Sequence, residues 1–393
     1  MSELDWQYRH TVLAVLMVAF FATMVARLII SPLVPDIVAA FGISKGAIGL
    51  ALTGMWAAYA VMQLPAGILA DRFGERRIVV VGVGSTTIAC ILLYLSPGYR
   101  LFVVSTLLIG IGAGLYFPAA VALLTGLYEN TGQVLGLHIS GGDLAGLVTP
   151  VAAATVALQF GWRTALIIGA VVGIPAVVLC FWRLRPAEPT RPSARMRDRV
   201  TPSELRRLLE NRALVFTIAL AVALAFTFQA VISFFPTYLI EFWGFGTGRA
   251  NDLFAAVFAL WVLFMPIMGR VADMFSRDGA LGASTVGMAA GIALTLVTDQ
   301  VMLAYLGIAM LGIGMSWGGV VAARIMDNLA VSDRTVGYGL VRSIYVLIGS
   351  SGSVVTGVLA DASGWPTAYG LVVVLLGIAF IAIVLNRVLN LGL

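Results

Sequence analysis

The chain has 393 residues, of which 60% are hydrophobic and 11% charged, and a formal net charge of +5. Soluble domains carry about 25% charged residues, so most of this surface faces something other than water. A water-soluble helical fold would need polar faces that its apolar runs do not have. The positive balance is no sign of a nucleic-acid partner: apart from Lys45 and the two arginines within apolar runs, Arg27 and Arg342, every basic residue is an arginine at a loop end.

A hydrocarbon core about 30 Å thick is crossed by about 20 helical residues. The first apolar run follows Asp5, Arg9 and His10 and continues to Val34 without a small-residue cleavage site, so it is expected to remain as span 1 and not to be removed as a signal peptide. Polar breaks and Gly or Pro signals then place spans at 12–37, 45–69, 78–96, 99–125, 133–158 and 162–182. After an insert come spans at 213–240, 250–271, 279–297, 300–326, 335–359 and 365–388. The insert, Arg183 to Arg212, holds nine arginines with Pro186, Pro189 and Pro192, and Thr201-Pro202 ahead of Glu204 predicts a short capped helix over Ser203 to Leu209. The expected fold class is all-α integral membrane, with twelve transmembrane helices in two six-helix bundles: residues 1–184, a cytoplasmic linker 185–212, and residues 213–393. Cys90 and Cys180 fall inside spans and are expected to be packing residues.

Short loops on the cytoplasmic side of a membrane protein are enriched in Lys and Arg. With the N-terminus inside, eighteen arginines lie on that side and only Lys45, Arg100, Arg163 and Arg249 lie outside. Both termini and the insert are therefore expected to be cytoplasmic, in the cell (inner) membrane. The halves echo each other. Gly67-Ile-Leu-Ala-Asp71-Arg72-Phe-Gly74-Glu-Arg76-Arg77 after span 2 parallels Gly269-Arg-Val-Ala-Asp273-Met-Phe-Ser-Arg277 after span 8, and Phe160-Gly161-Trp162 parallels Ser363-Gly364-Trp365. Parallel repeats of this kind place a substrate site near the midplane between the repeats.

The loop Gly67 to Arg77 resembles the signature between helices 2 and 3 of the major facilitator superfamily. The resemblance implies that fold and alternating access, with Gly67, Asp71, Arg72, Gly74, Arg76, Gly269, Asp273 and Arg277 as a gating motif in which the arginines pair with acids. The superfamily's helix-4 arginine is absent, Thr106 standing before Gly110-Ile-Gly112-Ala-Gly114, and the Gly-Pro-rich helix-5 motif of drug exporters is only partly matched by Gly141 to Pro150. Arg27, eight residues before Pro35, is similar in spacing to the anion-binding helix-1 arginine of organophosphate:phosphate antiporters and related organic anion carriers. That branch's helix-5 histidine is replaced by Asp143, seven residues before Pro150. Its helix-7 arginine is missing, since Phe228 and Gln229 stand there.

An ionisable group inside a span is costly unless it faces a cavity or a partner, so each is a functional candidate. Arg27, with Arg342, is expected to bind the carboxylate of a small organic anion, while Asp143 carries or answers to a coupling proton and His138 relays it. A permanent Arg27–Asp143 ion pair joining spans 1 and 5 is the competing expectation. Tyr59, Gln63, Gln229, Tyr345 and Trp317 complete the candidate substrate-binding set, with Trp56, Tyr116, Phe228 and Trp261 shaping the pocket. Glu241, Asp252 and Asp36, at external helix ends, are read as interface or gate residues. No His-Glu-x-x-His, nucleotide loop or Cys/His cluster with ligand spacing is present, so neither an enzyme nor a cofactor or metal is expected. The expected partners are a small anionic substrate, protons or a counter-substrate, and the lipid bilayer, for a secondary active transporter, by symport or exchange, that is a monomer. Proton-coupled drug or metabolite efflux is the alternative, and a transport-dead membrane sensor a more distant one.

Overall fold

In the computed structural model the chain is described at residues 3–186, 189, 206, 208, 210–329 and 334–393, the side chains of 3–6 and 334–336 excepted. The predicted surface helix at 203–209 and most of the arginine-rich insert lie outside the described residues. The elements are α1 Glu3–Leu28, a 3-10 turn Ser31–Leu33, α2 Val34–Phe41, α3 Lys45–Phe73, α4 Glu75–Tyr94, α5 Tyr99–Leu127, α6 Thr131–Phe160, α7 Trp162–Leu166 and α8 Ile168–Arg183. Then come α9 Arg212–Glu241, α10 Thr247–Met274, α11 Arg277–Val297, α12 Val301–Gly314, a 3-10 turn Met315–Trp317, α13 Gly318–Asp327, α14 Arg334–Gly349 and α15 Ser351–Val388.

Eleven stretches of the described residues are long and apolar enough to cross a membrane. The last, Gly337–Val388, has 52 residues, a length of about 78 Å at 1.5 Å per residue and more than twice a hydrocarbon core. Gly364 divides it with φ +81° and ψ 172°, a backbone that only glycine adopts readily. The fold is therefore an all-α membrane fold with the twelve crossings read from the sequence. Gly161, at the equivalent place in the first half, has φ +85° and ψ 155°. The two Gly-Trp motifs are thus the same turn made twice.

Four crossings expected as single helices are broken, the eleventh at Ser350 between α14 and α15. In the first, α1 stops at Leu28 because Pro32 has no N–H and its ring crowds the carbonyl four residues back. In the sixth, α7 and α8 part at Ile167. In the tenth, Ser316 leaves helical geometry at φ −77°, ψ 22°, and its hydroxyl donates to the Trp261 carbonyl at 3.0 Å. A hydroxyl drawn to a neighbouring helix in this way competes with regular backbone bonding.

The chain forms two compact units, residues 1–42 with 54–199, and residues 43–53 with 200–393. In the first, a Cβ on Gly82 would lie 2.7 Å from the Gly112 carbonyl and one on Gly112 2.6 Å from the Gly82 carbonyl, so α4 and α5 cross at backbone contact. The second unit repeats this between α11 and α12, where a Cβ on Gly291 would lie 2.5 Å from the Gly307 carbonyl and one on Gly307 2.6 Å from that of Gly291. Small residues at such crossings let helices gain dispersion contacts where lipid supplies no hydrophobic drive. Outward faces carry exposed apolar side chains such as Ile88, Val104, Leu158, Leu303 and Ile378, as lipid contact requires.

Residues 43–53, the start of α3, pack in the second unit. The Asp361 carboxylate accepts from the backbone N–H groups of Gly46 (2.7 Å) and Lys45 (3.2 Å). The Lys45 ammonium lies 3.1 Å from Glu241 and 3.8 Å from Asp361, and the Trp365 indole N–H donates to Glu241 at 3.0 Å. Thr53 Oγ1 donates to the Ser350 carbonyl at 2.8 Å and accepts from Val354 N at 3.1 Å.

Candidate functional site

The first unit gathers several of the sequence-predicted residues around α1. Arg27 lies in its last turn, where the unsatisfied carbonyls of a helix end favour a cation. The side chain is 4% exposed although it lies just past the middle of the crossing stretch Gln7–Phe41. Its Nε donates to the Thr23 carbonyl at 3.2 Å. Three rings frame the guanidinium carbon: Tyr59 at 4.8 Å, Trp56 at 5.1 Å and Phe20 at 5.9 Å, measured to the ring centres. Trp56 and Tyr59 meet edge to face at 5.6 Å, so α3 delivers two of the three walls. Gln63 follows one turn along α3, half-buried. Ring faces attract a cation and occupy its flat sides, while the guanidinium N–H donors lie in its plane, in the fork geometry that suits a carboxylate.

Phe20 also touches His138, ring centres 4.9 Å apart, so one phenyl contacts both the guanidinium and the imidazole. His138 is fully buried, with the rings of Tyr116 and Phe117 at 5.9 and 6.0 Å. The Tyr116 hydroxyl donates its single proton to the Leu16 carbonyl at 2.6 Å, so at 3.2 Å it accepts from His138 Nε2. That assigns the Nε2-protonated tautomer. Nδ1 is buried without a hydrogen-bond partner among the described residues.

Asp143 lies on α6, half-buried, and forms neither a hydrogen bond nor an ion pair among the described residues, with Arg27 or any other group. The glycines before it explain how α6 reaches α1. A Cβ on Gly141 would lie 2.5 Å from the Met17 carbonyl, and one on Gly142 2.3 Å from the Phe20 ring.

At the Arg9 end of α1 the same unit forms a cavity of about 460 Å³, open on one side, against the junction of α5 and α6. His10 Nδ1 is 3.3 Å from the Tyr128 hydroxyl, and the Arg9 guanidinium is 5.3 Å from the centre of that ring. Burial raises the Tyr128 phenol above its ordinary range, with Arg9 opposing, so it stays protonated near neutrality.

In the second unit Gln229 is buried on α9, Trp317 closes the 3-10 turn, and Arg342 (half-buried) and Tyr345 (buried) sit one turn apart on α14. The Trp317 indole N–H and the Gln229 Oε1 are buried without hydrogen-bond partners among the described residues. Phe228 packs edge to face on Trp261 at 5.6 Å.

The signature loop is built differently from the expectation. Gly74 takes φ +88° between α3 and α4, which explains that glycine. Arg76 donates to the Phe181 carbonyl at the end of α8 and stacks on its ring at 5.1 Å, and Arg72 lies 5.2 Å over Phe73. Neither arginine pairs with an acid among the described residues. Arg76 answers the orphan carbonyls of a helix end instead. Asp71 is half-buried. A Cβ on Gly269 would meet nothing within 4 Å. Arg277 does pair with acids, Asp273 one turn before it and Asp327 at 3.2 Å.

Two clusters escaped the sequence reading. Arg324, counted there only as a loop-end charge, is 7% exposed and pairs with Asp278, with Thr217 Oγ1 at 3.1 Å and the Leu393 carbonyl at 2.7 Å. Asp361 was not singled out at all. Both depend on partners far along the chain.

The comparisons with known proteins agree with this architecture. The family pattern described as Major Facilitator Superfamily matches residues 16–265. The chain is 26% identical over 348 residues, 86% of each chain, to the multidrug resistance protein MdtL of Escherichia coli O157:H7. It is 30% identical over 179 residues to the uncharacterized MFS-type transporter Rv1250 of Mycobacterium tuberculosis, a match covering 45% of this chain and 31% of that protein. Among solved structures, a bacterial homolog of the human lysosomal transporter Spinster, inward-facing and unoccupied, superposes with a TM-score of 0.84 at 17% identity over 98% of both chains. A D-xylose-proton symporter superposes with a TM-score of 0.77 at 15% identity, over 96% of this chain and 97% of that one. The twelve crossings, the twofold repeat and a family match over more than half its length make this chain a multi-pass membrane transporter of the Major Facilitator Superfamily.

Proposed function

We propose that the chain is a secondary active transporter, working by alternating access, that carries a small organic anion, with Arg27 binding its carboxylate. The observation that carries this reading is the buried guanidinium inside a crossing stretch, framed by Phe20, Trp56 and Tyr59. A charge in that position is expensive, and a ring-framed fork suits a planar carboxylate. Asp143 is assigned the coupling proton: a half-buried carboxylate held by no ion pair is available to exchange one, and His138, with Nδ1 unpartnered, stands one to two turns away on α6 to relay it. Arg342, Tyr345, Gln229 and Trp317 are assigned to substrate binding. With the arginine-rich loops cytoplasmic, both termini face the cell interior.

The likeness to the multidrug resistance protein MdtL over 86% of the chain favours a second reading, efflux of apolar or cationic compounds. A thermal-shift screen of the purified protein against carboxylates, phosphates, sugars and cationic drugs separates the two. Stabilisation by carboxylates supports the first reading, and stabilisation by cations alone supports the second. Coupling is tested in liposomes: Asp143→Asn should abolish accumulation driven by a pH gradient while counterflow exchange persists. Unchanged driven accumulation removes Asp143 from the coupling role.

A further inference from the structure

The cavity at the Arg9 end of α1 has no part in the site around Arg27. The two arginines are eighteen residues apart on one helix, about 27 Å at 1.5 Å per residue, too far for one small molecule to touch both. Between them the packed rings of Phe20, Tyr116, Phe117 and the His138 imidazole fill the space alongside α1.

The lining of the cavity has the chemistry of an anion site. Arg9 and His10 bring basic groups, both held against the one ring of Tyr128, and Glu129 is the only acid among the described lining residues. The helix α6, of 30 residues, starts at the cavity with no side chain capping its first turn, and its Gln133 is part of the lining. Helix N-termini offer backbone N–H groups and a positive dipole end to anions. Leu13, Val134 and Leu137 add apolar surface, and a volume of about 460 Å³ lies in the range of small-molecule pockets, about 300–1,000 Å³.

We infer that this cavity is a second binding station for the anionic cargo, in which Arg9, His10 and the start of α6 hold the carboxylate while Leu13, Val134 and Leu137 take its apolar body. This rests on the anion reading of Arg27, and places two stations on one helix with the Phe20–His138 cluster between them. With the arginine-rich side cytoplasmic, it is the station on the cell-interior side.

The chain has only two histidines, one in each place: His10 lines the cavity and His138 shares Phe20 with Arg27. Protein labelled in its histidine rings, in phosphatidylcholine nanodiscs, is titrated with benzoate at fixed pH and both imidazole resonances are followed. The His10 signal should shift saturably, with the apparent affinity falling at least tenfold in Arg9→Gln and unchanged in Arg27→Gln. An unaltered starting His138 signal in Arg9→Gln certifies its fold. A His10 signal that does not move, or moves equally in Arg9→Gln, overturns the second station. So does a His10 response to added phosphatidylglycerol but not to benzoate, which would make the occupant a lipid headgroup. The Arg27 reading is tested separately: it fails if the His138 signal is unmoved by benzoate or responds equally in Arg27→Gln.

Discussion

Asp361 caps the helix that begins at Lys45: its carboxylate accepts the Gly46 N–H at 2.7 Å across 315 residues of chain. A helix N-terminus leaves its first N–H groups unsatisfied, and the cap normally comes from the residue just before it. Here Ser44, just before the helix, accepts from the Ala47 N–H at 3.1 Å in the ordinary way, and Asp361 from another crossing takes the N–H groups of Lys45 and Gly46 as a second cap, so residues 43–53 are fastened within the second unit through their own backbone. Close packing reinforces this, since a Cβ on Gly49 would lie 2.5 Å from the Ser353 carbonyl and one on Gly357 2.5 Å from that of Lys45.

Asp361→Ala removes this second cap, leaving that of Ser44, and takes away one of the two carboxylates near Lys45. The loss of a cap costs about 1 kcal/mol, so amide hydrogen exchange over residues 45–49 should quicken about fivefold or more. Exchange elsewhere in α3, at 60–70, should hardly change. Uniform acceleration along α3 would show that Asp361 supports the fold at large and not this attachment.

The repeated Gly-Trp turns give a matched pair of predictions. Gly161→Ala and Gly364→Ala each force a side chain into a backbone region that only glycine visits cheaply, at a cost of about 1–3 kcal/mol. Each should lower the melting temperature of the detergent-purified protein. Gly248→Ala, where a Cβ meets nothing within 4 Å and φ is not positive, should leave it nearly unchanged. Equal effects at all three positions would remove the conformational explanation.

Arg324 and Asp278 form a largely buried pair, 8% and 19% exposed at their side chains. Breaking one partner of such a pair strands the other charge and costs about 3–5 kcal/mol. Arg324→Met and Asp278→Asn should each destabilise the protein, and the double variant should be less damaged than the two losses added together. Strict additivity in a thermal double-mutant cycle would show that the two side chains are not coupled.

Tyr116→Phe takes from His138 the oxygen that accepts its Nε2 proton. A buried donor left unsatisfied costs about 1–3 kcal/mol, and the tautomer is then no longer fixed. Nitrogen-15 spectra should show a single Nε2-protonated imidazole for His138 in the wild type and a mixture in the variant. A wild-type His138 protonated at Nδ1 would refute the assignment.

The crossings and the repeat were legible because they depend on local signals: apolar length, Gly-Trp turns and the arginine bias. The break at Leu28 was less visible, although Pro32 causes it, since a run of apolar residues masks a local change of helix type. The placement of Arg27 among Trp56 and Tyr59 was partly readable, because those two residues share a helical face, but the third wall, Phe20, gave no sign. Asp361 and Arg324 were hidden for a different reason. Their roles arise where residues tens to hundreds of positions apart meet, and each looks like an ordinary charge at a helix end when read along the chain. The signature arginines illustrate the reverse case, in which a motif was recognised but Arg76 found a helix-end carbonyl where a carboxylate was expected.

The central claim is that Arg27 binds the charge of the cargo, and equilibrium binding of the best carboxylate from the screen, by calorimetry on wild type and Arg27→Gln, tests it most directly. Losing a charge-assisted hydrogen-bonded contact costs about 1.5–3 kcal/mol, so affinity should fall about tenfold to a hundredfold, while the neutral amide of the same compound binds both proteins equally. Equal affinity of the carboxylate for wild type and Arg27→Gln would contradict the account.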